Sequence, residues 1–182
     1  MSRVAGPLLQ VGLIVRDVDQ ALAYWTQVLD VGPFYVIREA RIGNFFYRGR
    51  PSEDIVITMA FAQSGEMQIE LIQQHNDAPS GYREFLSAGR EGAQHLSSWF
   101  EDPAAYDEAR TALLGRGMQV VHETVSSDGS PRFAYFDSGV PFAPMIELSE
   151  AMLPGARIVQ DTVIAASRGW DGTDPIREMR FG

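Results

Sequence analysis

The stretch QVGLIVRDVDQALAYWTQVLDVG, residues 10–32, decides how the rest of the chain is interpreted. Its apolar, β-branched opening is typical of a buried strand, and Asp17 follows where a helix N-cap is expected. Apolar residues then recur at spacings of three and four until Gly32 and Pro33 end the pattern. The stretch predicts a strand and then an amphipathic helix with a buried face made of Ala21, Leu22, Trp25, Val28 and Leu29.

The same pattern returns in HLSSWFEDPAAYDEARTALLGRG, residues 95–117. When Gln10 is placed on His95, Asp17 falls on Asp102 and Gly32 on Gly117 without a gap. Agreement across a strand, a cap and a helix face indicates an internal repeat. Chance similarity between two α+β segments is the alternative.

Each predicted helix is followed by three predicted strands. They cover residues 34–39, 54–62 and 67–74 in the first half, and 118–124, 131–137 and 143–149 in the second. The chain is therefore predicted to be an α+β protein with two βαβββ modules. We place the modules at 8–75 and 93–150, a polar, loop-like linker at 76–92, and a C-terminal helical tail, without a counterpart in the first half, at 151–182.

Composition excludes several classes of protein and site. The chain has 182 residues, no cysteine and a formal net charge of -9. Thiolate sites and disulfides are therefore excluded, and we expect no nucleic-acid or membrane partner. The N-terminus lacks the pattern of a signal peptide, so a cytoplasmic location is expected.

Two acids interrupt strands that are otherwise apolar. Glu70 lies in QIELIQQ, residues 68–74, and Glu147 lies in MIELSE, residues 145–150. Because strand side chains alternate, both acids face away from the helix-covered side of the sheet. Burying a carboxylate without a partner is costly, so two acids at matching positions are expected to have a common role. The alternative is that both lie on a partly exposed strand face and are solvated or paired with arginines.

The first strands of the two halves supply a reason. Their matching positions hold Gln10 and His95, so the repeat gathers an amide, an imidazole and two carboxylates. Such a set suits a divalent cation such as Zn, Ni, Co, Mn or Fe(II).

These segments, with FAYFDSGVPFAPMIELSE at residues 133–150, resemble the vicinal oxygen chelate superfamily. It includes glyoxalase I, methylmalonyl-CoA epimerase, extradiol dioxygenases and bleomycin-resistance proteins. The resemblance covers about residues 8–150 and implies two modules that pair into a cup-shaped mixed sheet with helices outside. It also implies metal ligands at Gln10, Glu70, His95 and Glu147, and it allows a homodimer.

The resemblance further implies an isomerase or epimerase that moves a proton next to a carbonyl, through a metal-stabilised enediolate or enolate. Glu147 and Glu70 would be the catalytic residues, and the substrate a small carbonyl compound or thioester. The alternatives are a glyoxalase I-like lyase and a metal-free small-molecule-binding protein. Ile14 and Gln74 stand where glyoxalase I has an arginine and an asparagine that bind glutathione, which argues against glutathione as substrate.

Four other polar residues have two interpretations each. Arg48 and Arg50, in the irregular segment 41–53, either hold a substrate carboxylate or phosphate or belong to a solvated loop. His122 either lines the cup or is a structural strand histidine, and His75 lies in a polar loop. Trp25 and Trp99 are expected in the core.

Overall fold

The computed structural model describes residues 2–126 and 130–179. The strands are β1 (Gln10–Ile14), β2 (Phe34–Ile42), β3 (Phe45–Tyr47), β4 (Arg50–Pro51), β5 (Ile55–Ser64), β6 (Met67–Gln74), β7 (Gly92–Trp99), β8 (Gln119–Thr124), β9 (Phe133–Asp137), β10 (Met145–Ser149) and β11 (Ile176–Glu178). The helices are α1 (Val18–Ala23), α2 (Gly81–Ser87), α3 (Pro103–Leu114) and α4 (Pro154–Ser167). A single π-helical turn, Tyr24–Val28, continues α1.

The strands form one mixed sheet in the order β11-β2-β5-β6-β1-β7-β10-β9-β8-β3-β4. From the β1–β7 pair outward, β1 is followed by β6, β5 and β2, and β7 is followed by β10, β9 and β8. In both halves, the last strand of the module therefore lies next to the first. The two halves are thus arranged symmetrically about the antiparallel β1–β7 pair. This arrangement confirms the predicted α+β fold with strand, helix and three strands in each half.

The strand register makes the two halves equivalent residue by residue. Gln10 pairs with Gln68, two residues before Glu70, in the parallel β1–β6 ladder. His95 pairs with Met145, two residues before Glu147, in the parallel β7–β10 ladder. The ladders therefore equate Gln10 with His95 and Glu70 with Glu147, which is the correspondence obtained from the sequence.

The two repeat helices cover the outer face of the sheet. Helix α1 packs Val18 and Leu22 against one cluster of apolar strand residues, and α3 packs Tyr106 and Leu113 against another. Both N-caps are confirmed: the Asp17 carboxylate accepts hydrogen bonds from two backbone N–H groups, and Asp102 from one. The caps fix where each helix leaves the preceding strand.

The predicted buried face of α1 is partly wrong. Ala21, Leu22 and Trp25 contact the sheet, but Val28 and Leu29 are exposed. The helix becomes a π-helical turn at Tyr24–Val28, and the extra residue in that turn rotates the following side chains away from the core.

Segments predicted to be irregular contain regular structure. Residues 76–92 include α2, which Ser80 caps, and residues 41–53 include β3, β4 and the end of β2. Helix α2 was missed because it has only seven residues. The β3–β4 hairpin leaves its own half and pairs with β8.

The tail adds two elements to the cup. The predicted tail helix is α4, and its Val159 and Val163 pack on Ile37 and Phe61 of the concave face. Strand β11, which was not predicted, pairs in parallel with β2 at the sheet edge. Helix α2 also lies on the concave face, where Tyr82 and Phe85 join the core. None of the described helices is long and apolar enough to span a membrane.

Candidate metal centre in the cup

Three ionisable side chains meet on the concave face of the sheet. Glu70, His95 and Glu147 are buried and offer ligand atoms within 4.8 Å of one another. His95 Nε2 lies 3.3 Å from Glu70 Oε2 and 3.7 Å from Glu147 Oε2. The structure thus brings together three of the four side chains that the sequence predicted as ligands.

Gly12 makes room for the imidazole. It pairs with both Glu70 and His95 in the neighbouring strands, and a Cβ added to it would lie 1.8 Å from His95 Cε1. The ring therefore passes over Gly12 toward Glu70. Sequence reasoning missed this residue, although a glycine inside a strand is a recognised sign of close approach.

A β-bulge beside Gly12 sets the tautomer of His95. The register slips between Gly12 and Leu13, so Gln94 is an extra residue in β7. Gln94 Nε2 donates to the Gly81 carbonyl at 2.9 Å, and its Oε1 lies 3.2 Å from His95 Nδ1. Since an oxygen can only accept here, Nδ1 carries the proton and the Nε2 lone pair faces the two glutamates.

Burial controls the charges in the site. It raises the pKa of Glu70 to about 8 and that of Glu147 to about 7; His95 opposes and Glu70 reinforces the shift of Glu147. Burial also lowers the pKa of His95 to about 4. Within residues 2–126 and 130–179, neither glutamate has an arginine or lysine partner. The cup therefore holds two carboxyls and an unprotonated imidazole nitrogen 3.3 Å from Glu70, and the described residues place no cationic side chain beside them.

This donor set fits a divalent metal ion. Carboxylate oxygens and one imidazole nitrogen with a free lone pair converge on one point, and the second imidazole nitrogen is bound by Gln94. Ser97, which pairs with Gln10 and Glu147 in the neighbouring strands, lies beside the Glu147 carboxyl, and its hydroxyl partly offsets the rise in the pKa of that group.

Gln10 lies in the same cavity as the glutamates. Its amide nitrogen donates to Gln68 Oε1 at 2.7 Å. The cavity has a volume of about 200 Å³, and its walls include Gln10, Ile42, Ile57, Met59, Phe61, Glu70, Tyr82, Trp99, Arg132, Phe133, Tyr135, Glu147, Ala156 and Gln160. Apart from the acids, the walls are mostly apolar and aromatic.

Tyrosines close one side of the site. Tyr135 Oη lies 3.4 Å from His95 Nε2 and accepts a hydrogen bond from Tyr82 at 3.0 Å. His122 packs edge-on against the Tyr135 ring and accepts a hydrogen bond from the Gly81 backbone. It is buried in the aromatic core of the cup and does not line the cavity. The tyrosines and Trp99 are site residues that the sequence did not reveal.

The arginines are held elsewhere. Arg48 pairs with Glu84, and neither Arg48 nor Arg50 lines the cavity. Arg132 does line it, but its guanidinium donates to Glu150 at 2.6 and 3.1 Å and to Asp107 at 2.9 Å. Among the residues that the structure describes, the cavity wall therefore has no arginine free for an anionic ligand.

Comparison with known proteins agrees with this arrangement. The family model described as glyoxalase/bleomycin resistance protein/dioxygenase superfamily matches residues 9–136. The chain belongs to this superfamily. No curated protein matches it in sequence.

Two solved structures show the same fold at low identity. A hypothetical protein from Bacillus halodurans C-125 has a TM-score of 0.52 and 17% identity, with 79% of this chain and 92% of that chain covered. Methylmalonyl-CoA epimerase from Mycobacterium tuberculosis has a TM-score of 0.51 and 20% identity, with 82% and 90% covered.

Replacing Gly12 with alanine tests the packing of the imidazole. Because the new methyl group would overlap the His95 ring, we expect Gly12→Ala to lower the free energy of unfolding by about 1–3 kcal/mol. Gly155→Ala is the control, since nothing lies within 4 Å of a Cβ there. Urea unfolding measures both, and equal stability of the two variants would show that the ring does not lie over Gly12.

The carboxyl pKa values predict how the metal-free protein responds to pH. Above about pH 7, His95 is neutral in the folded state and mostly neutral in the unfolded state, the unfolded glutamates are ionised, and folded Glu70 keeps its proton until the pH passes about 8. The unfolded state then binds fewer protons, so stability falls as pH rises, by at most about 1.4 kcal/mol per pH unit for each carboxyl. We expect this fall in urea unfolding with chelator present, and a shallower one in Glu70→Gln. An unchanged slope in that variant would contradict the raised pKa of Glu70.

Proposed function

We propose that the protein is a divalent-metal-dependent isomerase or epimerase that transfers a proton next to a carbonyl group. The observation that supports this most is the buried group of Glu70, His95 and Glu147, whose two glutamates line the cavity. Gln10, Glu70, His95 and Glu147 would hold the cation. When bound, the cation would act as a Lewis acid toward the carbonyl oxygen of the substrate.

The glutamates supply the proton chemistry. They come from strands β6 and β10, which the β1–β7 pair separates, and both side chains line the cavity. We assign Glu147 as the base that removes the proton, and Glu70 as the group that returns one from the opposite side. Exclusion of water by the aromatic walls strengthens the electrostatic interactions in such a site.

The cavity favours a small uncharged group beside the reacting carbonyl. Its volume is about 200 Å³, and Arg132, the arginine that the described residues place in its wall, is already bound by two carboxylates. Apart from the proposed metal ion, a carboxylate or phosphate inside the cavity would meet two acids and, among the described residues, no arginine that is free to bind it. We therefore propose that a small ketone or hydroxyketone, or the acyl end of a thioester, occupies it.

The glyoxalase I-like alternative gains no support from the two positions that would bind glutathione. Ile14 is fully buried in the core beneath α2. The Gln74 amide donates to the Ala78 carbonyl at 2.8 Å and its oxygen accepts from the Ser80 hydroxyl. Both side chains are committed to internal contacts.

Metal binding separates an enzyme of this kind from a metal-free binding protein. We expect protein purified without chelator to carry about one divalent ion, and added Ni, Co, Mn or Zn to raise the melting temperature of the stripped protein. His95→Ala removes the imidazole and should abolish the rise. Elemental analysis and thermal melts provide the measurements, and a stripped protein that melts at one temperature with or without every metal would favour the metal-free binder.

Isotope exchange tests the assignment of the base. In deuterated water, wild-type protein should introduce deuterium next to the carbonyl of an accepted compound from a panel of hydroxyketones and uncharged β-ketoacyl thioesters. Glu147→Gln should slow this exchange by about 100-fold or more, as expected when a general base is lost. Glu84→Gln is the control, because that carboxylate binds Arg48 outside the cavity. Unchanged exchange in a metal-loaded Glu147→Gln protein would rule out Glu147 as the base.

A further inference from the structure

Three glutamine side chains connect the proposed metal site to the C-terminal helix. Gln10 Nε2 donates to Gln68 Oε1, and Gln68 Nε2 donates to Gln160 Oε1, each at 2.7 Å. All three residues are buried. We call this hydrogen-bonded series the amide chain; it starts on β1, crosses β6 and ends on α4.

The direction of the amide chain determines which atom of Gln10 is left for the cavity. A primary amide has an oxygen that accepts and a nitrogen that donates, so the three amides point one way or, if all are reversed, the other. As arranged, Gln160 offers its oxygen to Gln68, and Gln68 offers its oxygen to Gln10. The Gln10 nitrogen is thereby used, and its oxygen is the atom that remains. An oxygen can bind a cation, whereas an amide N–H₂ group cannot.

The difference between the two halves explains why such a chain is needed on one side only. Gln68 occupies the position that Met145 holds in the second half. Met145 stands beside His95, whose ring is already fixed by its close contact with Gly12 and by Gln94. Gln10 is a flexible amide and a weak ligand, so its orientation has to be imposed by hydrogen bonds.

Helix α4 is held firmly enough to impose that orientation. Val159 and Val163 are buried against Ile37 and Phe61, and Gln160 lies on the same face of the helix. The chain beyond α4 returns to the sheet as β11.

We infer that Gln68 and Gln160 are positioning residues that direct the Gln10 oxygen toward the cation, so that the tail helix is part of the metal site. This inference rests on the proposed metal-binding function. Neither residue contacts the cation itself; each acts through its neighbour in the amide chain.

Two substitutions of Gln160 test the direction of the amide chain. Gln160→Leu removes the terminal acceptor, and we expect the affinity for Ni²⁺ to fall by about 10- to 100-fold, the usual effect of losing an outer partner of a metal ligand. Gln160→Glu still offers Gln68 an acceptor oxygen, so the amide chain retains its direction, and affinity should not fall below about a third of the wild-type value. Calorimetric titration of chelator-stripped protein with Ni²⁺ measures both.

A third variant separates positioning from loosening of the helix. Val163→Ala removes buried methyl groups from α4 without touching the amide chain. It should lower the melting temperature of the protein and leave Ni²⁺ affinity within about 3-fold of wild type. If Gln160→Leu binds Ni²⁺ as tightly as wild type, or loses no more affinity than Val163→Ala, the inference is wrong while the metal site stands. If wild-type protein binds no Ni²⁺, Co²⁺, Mn²⁺ or Zn²⁺, the proposed function and the inference fail together.

Discussion

Two carboxyl groups buried beside a single imidazole are the constraint on which the rest of the structure depends. Glu70 and Glu147 are removed from water, and the described part of the chain places no cationic side chain against either of them. A fold can keep such a pair only by protonating it or by binding a cation there. In the metal-free protein, the pKa values of both glutamates are raised and His95 Nε2 is unprotonated, with Glu70 Oε2 3.3 Å from it.

The symmetrical order of the strands brings the two glutamates and His95 together. Because β1 and β7 lie side by side at its centre, the last strand of each half flanks them, and matching residues of the two halves face one another across the cup. The position of the His95 ring beside the two glutamates then depends on two local features, namely the glycine under the imidazole and the bulge at Gln94. These features orient one ligand through sterics and one hydrogen bond.

The fold class and the four proposed ligands could be predicted because they follow from strand alternation and from the internal repeat, both of which are visible in the sequence. Alternation in QIELIQQ placed Glu70 on the cup face, and the repeat placed Glu147, His95 and Gln10 with it. Tertiary contacts decided the rest. Helix α2 is too short for periodicity to reveal, and the pairing of β11 with β2 depends on a tail that has no repeat partner. The commitment of Arg132 to Glu150 and Asp107 likewise joins residues far apart in the sequence.

Anomalous diffraction from crystals grown with Zn²⁺ or Ni²⁺ tests the central claim most directly. We predict one strong peak in contact with Glu70, His95 and Glu147, with the Gln10 oxygen turned toward it. A cup without a peak, with the metal bound only at His75 or at surface acids, would contradict the proposed metal site.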